Sequence, residues 1–106
     1  MYEVRAMLLQ KLSKEITFSG KVINGQGLQS LFGYPTANIE NTSNIEYGLY
    51  LGRCEYGSTI TMVAEEKIET HIIDWSGDLY GKILSVELFS KFDSHGIKQF
   101  VDTIKE

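Results

Sequence analysis

Hydrophobic and polar residues alternate along most of the chain, which is typical of strands that bury one face. The longest alternating segment covers about residues 80–89, where Leu84, Val86 and Leu88 share one face. Six strands or extended segments are predicted, at about residues 16–23, 34–39, 47–55, 58–64, 68–75 and 80–89. No helix-length segment separates them, so antiparallel pairing is favoured over parallel units. A small six-stranded antiparallel barrel would also remove the open edges of the sheet.

The two ends of the chain have a helical period instead. Apolar residues recur three and four positions apart over about residues 2–12 and 94–105, which predicts a short N-terminal helix and a C-terminal helix. The apolar positions are Val4, Leu8 and Leu12 in the first segment and Ile97, Phe100, Val101 and Ile104 in the second. With a barrel over about residues 16–89, we expect a single domain over residues 1–106.

Composition narrows the classes of function. The chain has 106 residues, enough for one domain, and a net charge of −4, which argues against a general nucleic-acid-binding surface. The one cysteine, Cys54, cannot form an internal disulfide. No apolar run is long enough to span a bilayer, and the N-terminus lacks the layout of a signal peptide. We therefore expect a cytoplasmic protein with no nucleic-acid or membrane partner, as a monomer or weak oligomer.

Glycines are concentrated in the loop between the first two predicted strands. Gly25, Gly27 and Gly33 lie there. The backbone N–H groups of such a loop can bind phosphate, but the glycines can equally serve only its turns. The loop does not have the spacing of a Walker A motif or of a dinucleotide-binding fingerprint.

Two oxygen-bearing side chains follow the only proline. Thr36 and Asn38 are two positions apart, so in an extended segment they point to the same side. A hydroxyl and a carboxamide oxygen, together with phosphate oxygens and water, can complete the octahedral shell of Mg²⁺. The alternative is that both only tie down the loop by hydrogen bonds.

One acid is a candidate general base. Glu69 is predicted on a strand, with His71, Ile73 and Trp75 on the same face. A carboxylate in such a row can accept a proton from a substrate. A solvent-facing glutamate near a strand end is the alternative interpretation.

Several short motifs occur together in a fixed order. They are GKVING at 20–25, GYPTAN at 33–38, YGLY at 47–50, ETHIID at 69–74 with DLYG at 78–81, and FDS at 92–94. In this order the motifs resemble the riboflavin kinase (flavokinase) family over roughly residues 16–104. The N-terminal segment also resembles the junction before the kinase module of bifunctional bacterial riboflavin kinase/FAD synthetases.

The resemblance implies a six-stranded split barrel that transfers the γ-phosphoryl group of ATP to the 5′-hydroxyl of riboflavin, giving FMN. It also implies roles for individual residues. Thr36 and Asn38 would hold Mg²⁺ (or Zn²⁺ or Mn²⁺), Glu69 would accept the hydroxyl proton, Gly25, Gly27, Gly33, Pro35 and Thr36 would contact the nucleotide, and Tyr80, Lys91 and Phe92 would contact the flavin.

The chain departs from the family pattern in two loops. Only the four residues from Glu65 to Ile68 stand in place of a longer loop on the nucleotide side, and no arginine lies between Leu88 and Phe92 on the flavin side. These departures keep open the alternative of a non-catalytic module that binds a flavin or a nucleotide or has a regulatory role. A barrel that only binds another protein is a third interpretation.

Overall fold

The computed structural model describes residues 9–23, 29–31 and 34–92, and in these residues every regular element is a strand. The eight strands are β1 Leu9–Ile23, β2 Gln29–Leu31, β3 Tyr34–Pro35, β4 Ala37–Glu40, β5 Gly48–Cys54, β6 Gly57–Val63, β7 Lys67–Ile72 and β8 Ile83–Phe92. The described part of the chain includes no helix that could cross a membrane.

Six of the strands form a closed barrel in the order β1-β4-β7-β6-β5-β8. Every neighbouring pair is antiparallel, and the long β1 closes the ring by pairing with β8 on one side and β4 on the other. The predicted six-stranded antiparallel barrel is therefore confirmed.

Strands β2 and β3 form a separate two-stranded sheet, in which Gln29 lies opposite Pro35. Proline has no backbone N–H to donate to a neighbouring strand, which explains why Pro35 lies outside the hydrogen-bonded barrel.

The barrel interior is lined by alternate residues of the strands. Its buried apolar residues are Phe18, Val22, Ile39, Tyr50, Val63, Ile68, Ile72, Leu79, Leu84, Val86 and Leu88. Polar side chains also lie inside: the hydroxyls of Thr61 and Thr70 are directly opposite each other on β6 and β7 and form a hydrogen bond of 2.9 Å. Each hydroxyl satisfies the other in a region without water access.

A second apolar cluster lies on the other face of the same strands. Leu49, Ile60 and Phe92 are buried there, with Leu51, Met62 and Ile73 half-buried beside them. Neighbouring residues of a strand point to opposite faces. Because the side chain of Tyr50 faces the interior, that of Leu49 faces outward. The strands β5 and β6 therefore carry apolar side chains on both faces. We call this second group the outer cluster.

A bulge in β8 bends the strand. Ser90 pairs with Leu51 of β5, but the next β5 residue, Gly52, pairs with Leu88, so Phe89 is the extra residue. The backbones approach closely at this point, and a Cβ on Gly52 would collide with the carbonyl oxygen of Glu87. Glycine at position 52 is therefore required by the bulge.

The predicted N-terminal helix is wrong at its C-terminal end. Residues 9–12 are part of β1, where Leu9 pairs with Phe92 and Lys11 with Ser90. Backbone pairing with a strand about 80 positions away in the sequence overrides the local helical spacing. The remainder of that prediction, and the whole predicted C-terminal helix, lie outside the described residues. The predicted segment 80–89 also shifts, since β8 begins at Ile83 and runs on to Phe92.

We predict that Gly52→Ala destabilises the barrel by about 2–3 kcal/mol, because a methyl group forced against a backbone carbonyl moves two strands. Urea unfolding followed by circular dichroism measures this. Ser58→Ala is the matched control, because Ser58 is exposed on the neighbouring strand. Equal unfolding free energies for Gly52→Ala and the control would contradict the packing described here.

We also predict that Thr70→Val costs about 1–3 kcal/mol, because it leaves the buried Thr61 hydroxyl without its partner. The double variant Thr61→Val/Thr70→Val should recover most of that loss, since both polar groups are then replaced by apolar groups of similar shape. The measurement is the same unfolding titration. Strictly additive losses in the double variant would show that the two hydroxyls do not interact.

Candidate functional site

The pairing of β4 with β7 brings the candidate residues together. Asn38 lies directly opposite Glu69 in this antiparallel pair, so the two side chains are on the same face with Cβ atoms about 4.5–5.5 Å apart. The neighbouring pair, Ala37 and Thr70, lies on the interior side. Asn38 and Glu69 therefore face away from the barrel core.

The side chain of Asn38 is buried, and its amide oxygen is unsatisfied. Asn38 is 4% exposed, and Oδ1 has no hydrogen-bond partner among the residues that the structure describes. A buried carbonyl oxygen without a partner is costly, so this atom is suited to a ligand that brings positive charge or a donor. A hard cation is one such ligand, because amide oxygens are among the donors that Mg²⁺ accepts.

Glu69 is also buried, but its charge is compensated. The Nζ of Lys67 lies 2.9 Å from Oε2 of Glu69, and the Glu69 side chain is 9% exposed. Lys67 was not among the candidate residues of the sequence analysis. The sequence did contain a signal for this contact: Lys67 is two positions before Glu69, and residues i and i+2 of a strand share a face.

A pocket of about 290 Å³ opens beside these residues at one end of the barrel. Its walls come from the end of β1, the start of β4, the end of β7 and the segment before β8. Thr36, Asn38 and His71 contribute polar groups to it, and Trp75 and Tyr80 contribute aromatic rings. Glu69 is not among the lining residues. Asn38 is therefore at the boundary between the pocket and the carboxylate.

The segment after β7 forms the aromatic wall of the pocket. Asp74, two residues after the end of β7, has a left-handed backbone (φ 57°) that turns the chain. Trp75 then packs against Tyr56, with ring centroids 4.8 Å apart, and Asp78 accepts a hydrogen bond from the backbone N–H of Tyr80. The expectation that Trp75 continues the strand face of Glu69 is therefore wrong.

Comparison with known proteins identifies the family. The family model described as riboflavin kinase matches residues 12–100. The chain belongs to the riboflavin kinase family. The match covers the barrel from residue 12 onward, including β4 and β7, so the resemblance found in the sequence motifs is confirmed.

The domain is similar to two further proteins. One is the bifunctional riboflavin kinase/FMN adenylyltransferase of Buchnera aphidicola subsp. Schizaphis graminum (strain Sg), 27% identical over 90% of this chain and 36% of that protein. This chain thus spans about a third of the length of that relative. The other is the crystal structure of a macrolide-efflux protein from Streptococcus pneumoniae, with a TM-score of 0.63, 23% identity, and coverage of 97% of this chain and 41% of that one. At this identity the structural likeness shows the fold alone.

The residues expected to contact a flavin are not brought together by this riboflavin kinase domain. Tyr80 precedes β8 and lines the pocket, whereas Lys91 and Phe92 end β8, a strand about 30 Å long. Lys91 has its Nζ 3.0 Å from Oε1 of Glu46 and 5.7 Å from the ring centre of Tyr50. Phe92 is buried in the outer cluster. A single contact surface cannot include all three.

The remaining predicted site residues lie in or near the glycine-rich loop, most of which is outside the described residues. Gly25, Gly27 and Gly33 are outside the described residues, and Pro35 lies in β3. Thr36 lines the pocket with Asn38. Among the described residues no three His, Cys, Asp or Glu side chains form a metal cluster.

The burial of the Tyr50 phenol leads to a prediction about the pH dependence of stability. Burial, and secondly the charge of Glu46, hold the pKa of Tyr50 above its ordinary value of 10.0. The native state therefore retains this proton more strongly than the unfolded chain, so its stabilising effect is present below about pH 10 and is lost as the pH rises further. The unfolding free energy of Tyr50→Phe should fall less than that of the wild type between about pH 8 and about pH 10.5.

Urea unfolding at the two pH values measures this difference. Tyr47→Phe is the control, because Tyr47 is 58% exposed and should follow the wild type at both pH values. Wild type and Tyr50→Phe losing equal free energy over this range would contradict the burial of the Tyr50 phenol.

Proposed function

We propose that this domain is a riboflavin kinase that transfers the γ-phosphoryl group of ATP to the 5′-hydroxyl of riboflavin, giving FMN and ADP. The observation that carries the proposal is the position of Asn38, whose unsatisfied buried oxygen lies at the pocket edge directly opposite Glu69. Membership of the riboflavin kinase family supports the same activity. The proposed substrates are therefore two small molecules that meet at this boundary.

The pocket beside Asn38 is the proposed nucleotide site. Thr36 and Asn38 would hold a divalent cation, with Mg²⁺ favoured and Mn²⁺ or Zn²⁺ as alternatives, because both side chains offer oxygen donors. When bound, the cation neutralises charge on the phosphate oxygens during transfer. Asn38 fits this role because its Oδ1 is buried and unpaired among the described residues. The aromatic side chains of Trp75 and Tyr80 would face the rest of the nucleotide.

Glu69 is the proposed general base. Its carboxylate would accept the proton of the riboflavin 5′-hydroxyl as the new oxygen–phosphorus bond forms and the bond to the leaving ADP oxygen breaks. The position of Glu69 suits this step, because Asn38 lies directly opposite on β4. Asn38 would bind the cation and phosphates of ATP, and Glu69 would contact the riboflavin hydroxyl. Positioning of this kind provides most of the rate enhancement in phosphoryl transfer.

The surface next to Glu69 suits the ring system of the acceptor. Met62 lies directly opposite Glu69 on β6, and Leu49 lies opposite Met62 on β5. The face thus changes from polar at Asn38 and Glu69 to apolar at the outer cluster. A ligand with a hydroxylated chain and an apolar planar ring would place its chain at Glu69 and its ring against the half-buried Met62, since Leu49, Ile60 and Phe92 are already covered.

A direct assay tests the proposal. The purified chain is incubated with riboflavin, ATP and Mg²⁺, and FMN is measured by chromatography. Glu69→Gln should lower kcat by about 10²–10⁴-fold because it removes the base. Asn38→Ala should also abolish most FMN formation, since it removes the proposed cation ligand. The matched controls Glu65→Gln and Asn44→Ala, both exposed, should behave as the wild type. Unchanged FMN formation by Glu69→Gln would contradict the assignment of the base.

A non-catalytic flavin- or nucleotide-binding module remains the second candidate. The observation that favours it is the short connection between β6 and β7, where the backbone N–H of Ala64 donates to the carbonyl of Lys67 in a tight turn. The family pattern has a longer loop at this place. Saturable quenching of riboflavin fluorescence by the wild-type chain, with no FMN formed, would select this candidate over the kinase.

A further inference from the structure

Lys67 and Glu69 form an asymmetric ion pair on β7. The two residues are two positions apart and share the outward face of the strand. The Lys67 side chain is 48% exposed and the Glu69 side chain 9%, with 2.9 Å between Nζ and Oε2. The lysine thus reaches from solvent to a carboxylate that is almost covered.

The residues that face Glu69 from the neighbouring strands carry no positive charge, so Lys67 provides the counter-charge. From β4, Asn38 faces the carboxylate directly, and Glu40 lies opposite Lys67. From β6 the facing residue is Met62, which is uncharged. On β7 itself, His71 is two positions beyond. Among the described residues, Lys67 is the only one that forms an ion pair with Glu69. A covered carboxylate without that partner would be unfavourable.

The pair also distinguishes the two carboxylate oxygens. The ammonium group of Lys67 lies 2.9 Å from Oε2, so the ion pair is made through this oxygen and not through Oε1. A carboxylate held at one oxygen and fixed to a strand has a restricted side-chain orientation. Such a restriction matters for a base, because displacement of a reacting group by about 1 Å can lower a rate by about 10²-fold.

We propose that Lys67 is a positioning residue for Glu69: it holds Oε2 so that Oε1 is presented to the hydroxyl that receives the phosphoryl group. The inference rests on the proposed function and adds to it the first residue of β7. Lys67 acts through Glu69 and does not touch the substrates. A longer cation with the same charge should therefore replace it, whereas an apolar side chain of similar length should not.

The test combines single and double variants in the FMN assay. Lys67→Met should lower kcat about 10–100-fold, with the KM values for ATP and riboflavin changed less than about threefold. Lys67→Arg should retain kcat within about threefold of the wild type. In the Glu69→Gln background, Lys67→Met should cause no further loss, because there is no carboxylate left to position. Lys14→Met, which removes an exposed lysine from β1, is the control and should leave kcat unchanged.

A readout without substrates accompanies the kinetics. Urea unfolding of wild type, Lys67→Met, Glu69→Gln and the double variant should show a favourable coupling between the two side chains. It also confirms that each variant used in the assay is folded. No coupling would overturn the inference, because the lysine would then not hold the carboxylate in solution.

The kinetic outcomes separate this inference from the proposed function. If the wild type forms no FMN, the proposed function fails and the inference fails with it. If the wild type forms FMN but Lys67→Met does so equally well, only the role of Lys67 is overturned. The role is also overturned if Lys67→Met reduces activity equally in the Glu69→Gln background, or raises only the KM for ATP, because Lys67 would then act on the nucleotide directly.

Discussion

The antiparallel register of β4 and β7 is the constraint on which the site depends. Side chains alternate strictly between the two faces of a strand, so a slip of one residue in either strand would turn Asn38 or Glu69 into the barrel core. The register is held by four residue pairs, from Ala37 with Thr70 to Glu40 with Lys67. The interior residues on the same strands, Ile39 and Ile68, are almost fully buried and make any other register unfavourable.

Closure of the barrel makes this short strand possible. β4 has only four residues, and such a strand at an open edge would be weakly held. Here it lies between β7 and the end of β1, where Val22 pairs with Ile39 and Ile23 with Asn38. β1 is in turn fixed along its length by β8. The position of the Asn38 amide therefore depends on strands from both ends of the described chain.

The alternating pattern was sufficient to predict most of the barrel. The segment around Val86 alternates because one of its faces is buried, and it is a strand near the predicted place. The segments around Leu49 and Thr61 are also strands near their predicted places, although both of their faces are partly buried. The pattern failed where pairing with a distant strand decides the structure. Residues 9–12 have helical spacing but join β8 through β1, and the bulge at Phe89 has no local signal.

The site was predictable only in part, for a similar reason. The motifs of the family included Thr36, Asn38 and Glu69, and the structure brings the last two side by side. Contacts made through tertiary structure were not predictable. Lys91 has the charge expected of a ligand contact, yet its ammonium group lies against Glu46. Lys67, at the start of β7, carries the charge that compensates Glu69.

The central claim is that a cation and a triphosphate bind where β4 meets β7. Mn²⁺ has the same preference for oxygen ligands as Mg²⁺, and it broadens the NMR signals of nearby amides. With ATP and a trace of Mn²⁺, our account predicts that broadening is strongest at the amides of Thr36, Ala37 and Asn38 and next at Glu69 and Thr70. The amides of Leu51 and Gly52 on β5, across the barrel, should be affected least. Broadening centred on any other strand, or none at saturating ATP, would contradict it.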